Sequence, residues 1–270
     1  MDQAIARPAR HAFAVTGYPS ITLVLDGPLA VATLARGPVN AIDEGWVERL
    51  DQALDAVEHA AGVACLLLRS SERAFCAGAD LALMRSRFAS LEGRAQMVGF
   101  VRRLQRAYAR LERLPQATIA EIGGAAMGGG LELALACDLR IAADEASLGL
   151  PEARLGLLPG AGGTQRLTRI VGEALAKRLI LRGEVLKGRE AAALGLVHWA
   201  VPGAELASRA RALAAELTAL PPEAIAACKR CIRAPLEGAD GYEAEVLGTA
   251  SLLASAETQR RVRDFLEKRQ

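Results

Sequence analysis

Ile119-Ala120-Glu121-Ile122, then glycines at 123, 124 and 128–130, then Leu131-Glu132-Leu133-Ala134-Leu135-Ala136-Cys137-Asp138: this stretch decides how the chain reads. Residues 118–122 are mostly apolar and partly β-branched and end in glycine, so they predict a short, largely buried strand. The apolar run after Gly128-Gly129-Gly130 reads as a helix. A strand, glycines and a helix start leave free backbone N–H groups. Such donors, with the helix dipole, suit an anion or a developing oxyanion. Glu132 lies between two leucines, and an unpartnered polar group there costs roughly 2–7 kcal/mol on burial. Two readings stay open from this stretch alone. Glu132 is a functional carboxylate, or it is structural, favoured by the dipole and satisfied by a buried arginine such as Arg140. Downstream, Leu150-Pro151-Glu152 places a second glutamate behind a proline suited to a first helical turn. Pro159-Gly160-Ala161-Gly162-Gly163-Thr164-Gln165-Arg166-Leu167 then carries a second glycine-rich loop into a helix.

Working outward, Ile21–Asp26 and residues 30–34 are strand-like runs split by Gly27-Pro28, a hairpin signal. Trp46, Val47, Leu50, Leu54 and Val57 keep helical spacing from about Asp43, and residues 63–68 read as a buried strand. This order predicts an α/β core. Phe75-Cys76-Ala77-Gly78-Ala79-Asp80-Leu81 passes from a strand end through a glycine into a helix, and alone it reads as an ordinary turn and cap. Residues 82–96 show weak caps. Met97, Val98, Val101, Leu104, Tyr108, Leu111 and Leu114 share one helical face. Arg102, Arg103, Arg106, Arg110 and Arg113 occupy the other, which reads as solvated. Residues 180–184 and 191–197 read as a helix end, a turn and a second helix, and a strand ends near Val201. Helices are expected over 205–219, 222–234, 240–255 and 257–269. A soft domain boundary near 202 divides a core, 12–202, from a C-terminal helical lobe, 203–270.

The 270 residues are 51% hydrophobic, enough for a substantial core. A net charge of +2 advertises no strong electrostatic partner, and 4% aromatics advertise no base-stacking surface. No apolar run is long enough to cross a membrane. Met1 to His11 lack an apolar core, so neither a signal peptide nor a transit peptide is expected. Five scattered cysteines fit reduced thiols of the cytoplasm. Cys228 and Cys231 form one pair without a second, too few for a structural zinc site, and read as helix core residues. Gly160-Ala161-Gly162-Gly163 lacks dinucleotide-loop spacing, and no phosphate-binding G-x-x-x-x-G-K-[ST] loop occurs. The three histidines, at 11, 59 and 198, lie outside every motif.

Residues 128–134, 137–142, 150–152 and 159–167, in that order and spacing, closely resemble the enoyl-CoA hydratase/isomerase (crotonase) family. The resemblance implies a crotonase-like ββα spiral core, and a helical lobe that packs on a neighbour in a homotrimer or a dimer of trimers. It implies oxyanion-hole donors at the N–H groups of Ala79 and Gly129. Contacts to the CoA thioester fall on Val39, Ala41, Ala77, Asp80, Leu81 and Gly128. The implied catalytic pair is Glu132 and Glu152, which add water syn across C2–C3 of a 2-trans-enoyl-CoA, giving a 3-hydroxyacyl-CoA as in fatty-acid β-oxidation. Glu132 activates the water, Glu152 delivers a proton to C2, and the reverse reaction exchanges the roles. No metal and no cofactor beyond the substrate's own CoA are implied. Isomerases of the family commonly keep one glutamate, and dehalogenases use an aspartate absent here, so hydratase leads. The other readings are an isomerase, a hydratase of a specialised acyl group, and a non-catalytic or RNA-binding member. Ala82 departs from the family, where a lysine that contacts CoA is common, and Leu148 stands where an aromatic is common.

Overall fold

The computed structural model describes residues 11–13 and 20–268. The expectation for Met1–Arg10 and the last two residues of the helical lobe lie outside them. β1 (His11–Phe13), β2 (Ile21–Asp26) and β3 (Leu29–Leu34) pair antiparallel, with Ile21 opposite Leu34 and Asp26 opposite Leu29. The Gly27-Pro28 turn thus makes the expected hairpin. α1 (Glu44–His59) starts where Asp43 accepts the Trp46 N–H at 2.8 Å, which satisfies one of the free donors of its first turn. Its buried stripe is Trp46, Val47, Leu50, Leu54 and Val57, the face expected from spacing.

A ββα unit then repeats. The first has β4 (Cys65–Ser70), β5 (Ala74–Cys76), α2 (Leu81–Phe88) and α3 (Leu91–Arg113). The second has β6 (Ala117–Ile122), β7 (Ala125–Met127) and α4 (Gly129–Leu135). The third has β8 (Leu139–Ala143), β9 (Ser147–Gly149), a 3-10 turn over Pro151–Leu155, α5 (Gly163–Val171) and α6 (Glu173–Leu181). β10 (Val185–Lys187), α7 (Gly188–Ala193) and β11 (Trp199–Val201) close the sheets. The first strand of each unit enters a seven-stranded sheet ordered β1-β2-β3-β4-β6-β8-β11, and the second enters a four-stranded sheet ordered β10-β9-β7-β5. Each turn of the spiral therefore advances one strand in both sheets. β3, β4, β6, β8 and β11 run parallel, and β6 is buried on both faces as parallel strands are.

The chain ends in α8 (Gly203–Thr218), α9 (Pro222–Arg233), α10 (Gly241–Ala254) and α11 (Ala256–Glu267). The expected boundary near 202 falls before α8, yet Leu206, Ala210 and Ala214 of α8 are buried in the same core as β4 and β6. Packing changes after α8: α10 and α11 bury no residue within the chain. α9 is tied back by Lys229, whose Nζ donates to Asp138 at 2.6 Å and to the Gln116 carbonyl at 2.7 Å. Cys228 is exposed and Cys231 half-buried, so this pair is not the core pair expected from a helix.

Two further differences concern local structure. The caps after residue 80 are not weak: Asp80 accepts the Ala82 and Leu83 N–H groups, and Ser90 accepts that of Gly93. The expected helix over 191–197 covers only Gly188–Ala193, and its end turns back through Leu196 N–H to the Ala191 carbonyl. Three of the five arginines on the outer face of α3 hold acidic partners: Arg103 pairs with Glu44, Arg110 with Asp55 and Glu58, and Arg113 with Glu237.

The spiral puts α4 against β5 at very short range. A Cβ on Gly130 would stand 2.1 Å from the Cys76 carbonyl oxygen, so only glycine permits this approach. Gly130→Ala is expected to lower stability by at least about 2–3 kcal/mol, the upper range for overpacking, measured as a denaturant midpoint against wild type.

Candidate active site

The Ala77–Asp80 segment is pinned by alternate backbone bonds. Ala77 N–H donates to Val39 O at 2.9 Å, Ile42 N–H to Gly78 O at 2.8 Å and Asp80 N–H to Ile42 O at 2.9 Å. The N–H of Ala79 is left out of this pattern. On the neighbouring segment, Gly128 N–H donates to Gly149 O at 2.9 Å, and the Tyr108 hydroxyl donates to Gly129 O at 2.8 Å. The Gly129 N–H begins α4 and has no intrahelical acceptor. A Cβ built on Gly129 would lie 3.9 Å from the Ala79 nitrogen, and one built on Gly78 3.3 Å from the Gly129 nitrogen. The structure thus brings the two expected donors side by side, and neither gives its proton to another group among the described residues.

Both donor segments border a cavity of about 240 Å³ that also receives Glu132 and Glu152. Its other walls are apolar, chiefly Met84, Phe88, Met97, Phe100, Val101 and Leu104. A larger hollow of about 550 Å³, between α3, α9 and α10, is lined by Arg113, Lys229, Arg233 and Glu237 and holds neither glutamate.

Glu132 is 2% exposed. Its Oε1 accepts the Gly163 N–H at 2.7 Å, and the Ala161 N–H faces the same carboxylate. The suggested partner Arg140 is engaged elsewhere: it donates to the carbonyls of Cys137 and Leu196 at 2.8 and 2.9 Å. Burial pushes the Glu132 carboxyl up from 4.5 to about 7. The two backbone donors and Arg166 pull it down, and nearby Glu152 pushes it up. Glu152 follows Pro151 in the 3-10 turn, and its Oε2 is buried without a partner. Burial raises its carboxyl too, with only its own N–H opposing. Gly128 has φ +52°, and a Cβ there would meet Glu152 Oε1 at 2.9 Å.

The expected CoA-contacting residues lie around the mouth. Ala77, Leu81 and Gly128 line the cavity, whereas Val39 and Ala41 sit on the adjoining loop. That loop turns on Asn40, a buried residue at φ 54° whose Nδ2 donates to Ser70 Oγ and the Phe75 carbonyl at 2.8 and 3.0 Å. The Asp80 carboxylate is already used. It caps α2 and accepts Arg36 Nη2 at 2.9 Å, and Arg36 also pairs with Asp43. Spacing missed Tyr108, which reads as a plain core position of a long helix. No group of three or more His, Cys, Asp or Glu able to hold a metal occurs among the described residues.

The shift of Glu132 carries a sign for stability. The folded state holds this proton more tightly than the unfolded chain. The stabilisation is complete below about 4.5 and lost as pH rises through about 7. Glu132→Gln is therefore expected to be more stable than wild type at pH 8, by on the order of 2–3 kcal/mol. Thermal melts of both proteins at pH 5 and pH 8 check this, and the gap should grow with pH.

A family model described as enoyl-CoA hydratase/isomerase matches residues 26–270. A Bacillus subtilis protein named probable enoyl-CoA hydratase is 41% identical over 255 residues, covering 93% of this chain and 96% of that protein. The solved structure of Pseudomonas aeruginosa DspI superposes with a TM-score of 0.87 at 34% identity, over 96% of this chain and 98% of that one. That of Bacillus anthracis enoyl-CoA hydratase gives 0.85 at 33%, over 92% and 96%. Two carboxyls, two backbone donors and an apolar cavity thus sit in a ββα spiral shared with these proteins, and the chain belongs to the enoyl-CoA hydratase/isomerase family.

Proposed function

We propose that the protein reversibly hydrates 2-trans-enoyl-CoA thioesters to 3-hydroxyacyl-CoA, the reaction type of fatty-acid β-oxidation. The observation that carries this reading is the meeting of two carboxyls, the buried Glu132 and the half-buried Glu152, with the unpaired N–H groups of Ala79 and Gly129 at one cavity. The thioester oxygen accepts from both N–H groups. Preorganised donors of this kind typically contribute about 10²–10³ in rate each. Glu132, whose Oε1 accepts the Gly163 N–H, takes a proton from water as the water oxygen bonds to C3. The π electrons move onto the thioester oxygen as an enolate. Glu152, whose Oε2 faces the cavity side without a partner, supplies the proton that C2 accepts. Dehydration runs the same path backwards. A carboxyl titrating near 7 suits base catalysis at neutral pH.

Apart from the two glutamates the cavity is apolar, which supports a hydrocarbon acyl group. A buried, unpaired substrate carboxylate would find no partner there. The reaction needs no cofactor, because CoA arrives with the substrate. The unpaired cysteines support a reducing cytoplasm as its place. A homotrimer, or a dimer of trimers, would cover the outer face of α10 and α11, where Tyr242 is 84% exposed beside Val246, Leu247, Val262 and Phe265.

Crotonyl-CoA is expected to lose its conjugated enoyl-thioester absorbance with wild type. Glu132→Gln and Glu152→Gln should each fall by at least about 10²–10³ in kcat with CoA-product binding kept. Activity surviving in either variant would sink the pair, and an inactive wild type that binds CoA thioesters points to double-bond isomerisation. Among substrates, a terminal carboxylate on the acyl group should cost about a hundredfold or more in kcat/KM.

A further inference from the structure

We propose that Arg36, which lies outside the cavity, is a positioning residue that aims the Ala79 N–H at the substrate's thioester oxygen through two successive peptide units. The inference deepens the two-carboxylate hydratase reading and rests on it for its meaning in catalysis. The two oxyanion donors are held differently. The peptide that carries the Gly129 N–H has its carbonyl, Gly128 O, bound by the Glu132 N–H at 2.9 Å as α4 begins. The helix start fixes that donor and needs no side chain. Ala79 lies in no helix and only bridges Ile42, so its N–H needs support from outside.

In a trans peptide the carbonyl of one residue and the N–H of the next point to opposite sides. Holding that carbonyl therefore aims that N–H. Gly78 O shares its peptide with the Ala79 N–H, and it accepts the Ile42 N–H at 2.8 Å. The Ile42 N–H in turn shares its peptide with Ala41 O, which accepts Arg36 Nη1 at 2.6 Å. Both units are trans. The chain of bonds runs from the guanidinium through the Ala41–Ile42 peptide to the Gly78–Ala79 peptide, and the Ala79 N–H is its open end at the cavity. Asp80 N–H donates to Ile42 O at 2.9 Å, so Ile42 grips the segment on both sides of Ala79 and leaves the Ala79 N–H facing away from itself.

The start of the chain is itself fixed. The Arg36 N–H donates to Asn40 Oδ1 and the Asn40 N–H to Arg36 O, both at 2.8 Å. Asp43 and Asp80 each stand 2.9 Å from Nη2, which leaves Nη1 for Ala41 O. These two carboxylates balance the guanidinium charge. What reaches the site is direction, with polarisation passed along the bonds, rather than a net positive field. Arg36 is not among the cavity walls.

The test uses butyryl-CoA with an isotope-labelled thioester carbonyl, a saturated probe that has no double bond to hydrate. Binding to wild type is expected to lower the labelled carbonyl stretch in infrared difference spectra, because the two N–H groups polarise the bond. Arg36→Met removes the Nη1 donor and is expected to lose roughly half of that shift, one of two donors being loosened. With crotonyl-CoA it should lose roughly tenfold in kcat, with KM within about twofold. A wild-type stretch in the folded variant overturns the proposal and leaves the hydratase reading standing. The Arg36 ion pairs are partly exposed, and losing such pairs destabilises little. Where Arg36→Met still fails to fold, Arg36→Lys decides: it keeps a cation between Asp43 and Asp80 but not the fork that also reaches Ala41 O, and a wild-type stretch there overturns the proposal equally. A KM raised about tenfold with stretch and kcat kept marks Arg36 as a contact to CoA itself and also overturns it. An unlowered stretch in wild type removes the oxyanion donors and the proposal together. A shift lost in Arg36→Met, in a protein that does not hydrate crotonyl-CoA, upholds the positioning role and overturns the hydratase reading alone.

Discussion

A single backbone N–H, that of Gly163, stands 2.7 Å from a carboxylate that is almost fully buried. Much of the surrounding structure answers to that contact. A carboxylate in an apolar cavity either finds donors or gives up its charge. A lysine or arginine paired directly with it would hold it permanently ionised and quench it as a base. Backbone donors are weaker, fixed in place and carry no side chain into the cavity. They leave Glu132 titrating near 7, where it can hold or release a proton. The glycine-rich run at 160–163 follows from this need, since a Cβ on Gly163 would sit 2.8 Å from Glu132 Oε1.

The second sheet, only four short strands, has a similar purpose. Its strands β5, β7 and β9 set side by side the ends of three successive spiral turns. The first end carries the Ala79 donor, the second the Gly129 donor and the third Glu152. The close contact of Gly130 with the Cys76 carbonyl fixes the separation of the first two ends. Tyr108 fixes the second from the opposite side by holding the Gly129 carbonyl.

Long periodic segments were legible in the sequence, and their physics explains why. α1 and α3 each bury one face, so their apolar spacing and their structure state the same fact. β5, β7, β9 and β10 have three residues each, too few for any period to show, so the small sheet could be inferred only through the family likeness. α8 misled for another reason. Its buried positions are mostly alanines, small enough to lie flat on the sheet, so its pattern resembles that of the helices after it. At the site, Glu132 announced itself as a charge among leucines. Arg166 did not, because its Nη1 bonds a carbonyl oxygen, and a carbonyl looks the same under every residue type. Asp80, expected at the CoA contact, also caps α2 and is bound by Arg36, roles that spacing did not show.

The two glutamates differ both in burial and in what opposes it: Glu132 is buried and Glu152 half-buried. Both are pushed toward the protonated form by the same apolar cavity. Glu132 faces two backbone donors and the Arg166 cation, whereas the buried Oε2 of Glu152 faces nothing. Each also raises the cost of charging the other, so the pair is most easily occupied by one proton and one negative charge. Under the proposed reaction that single proton is what the chemistry requires: the charged member accepts a proton from water while the neutral member donates one to carbon. After the step the pair again holds one proton, now on the other carboxyl, which is the state dehydration starts from. Reversibility is therefore a property of the shared charge rather than of either residue alone.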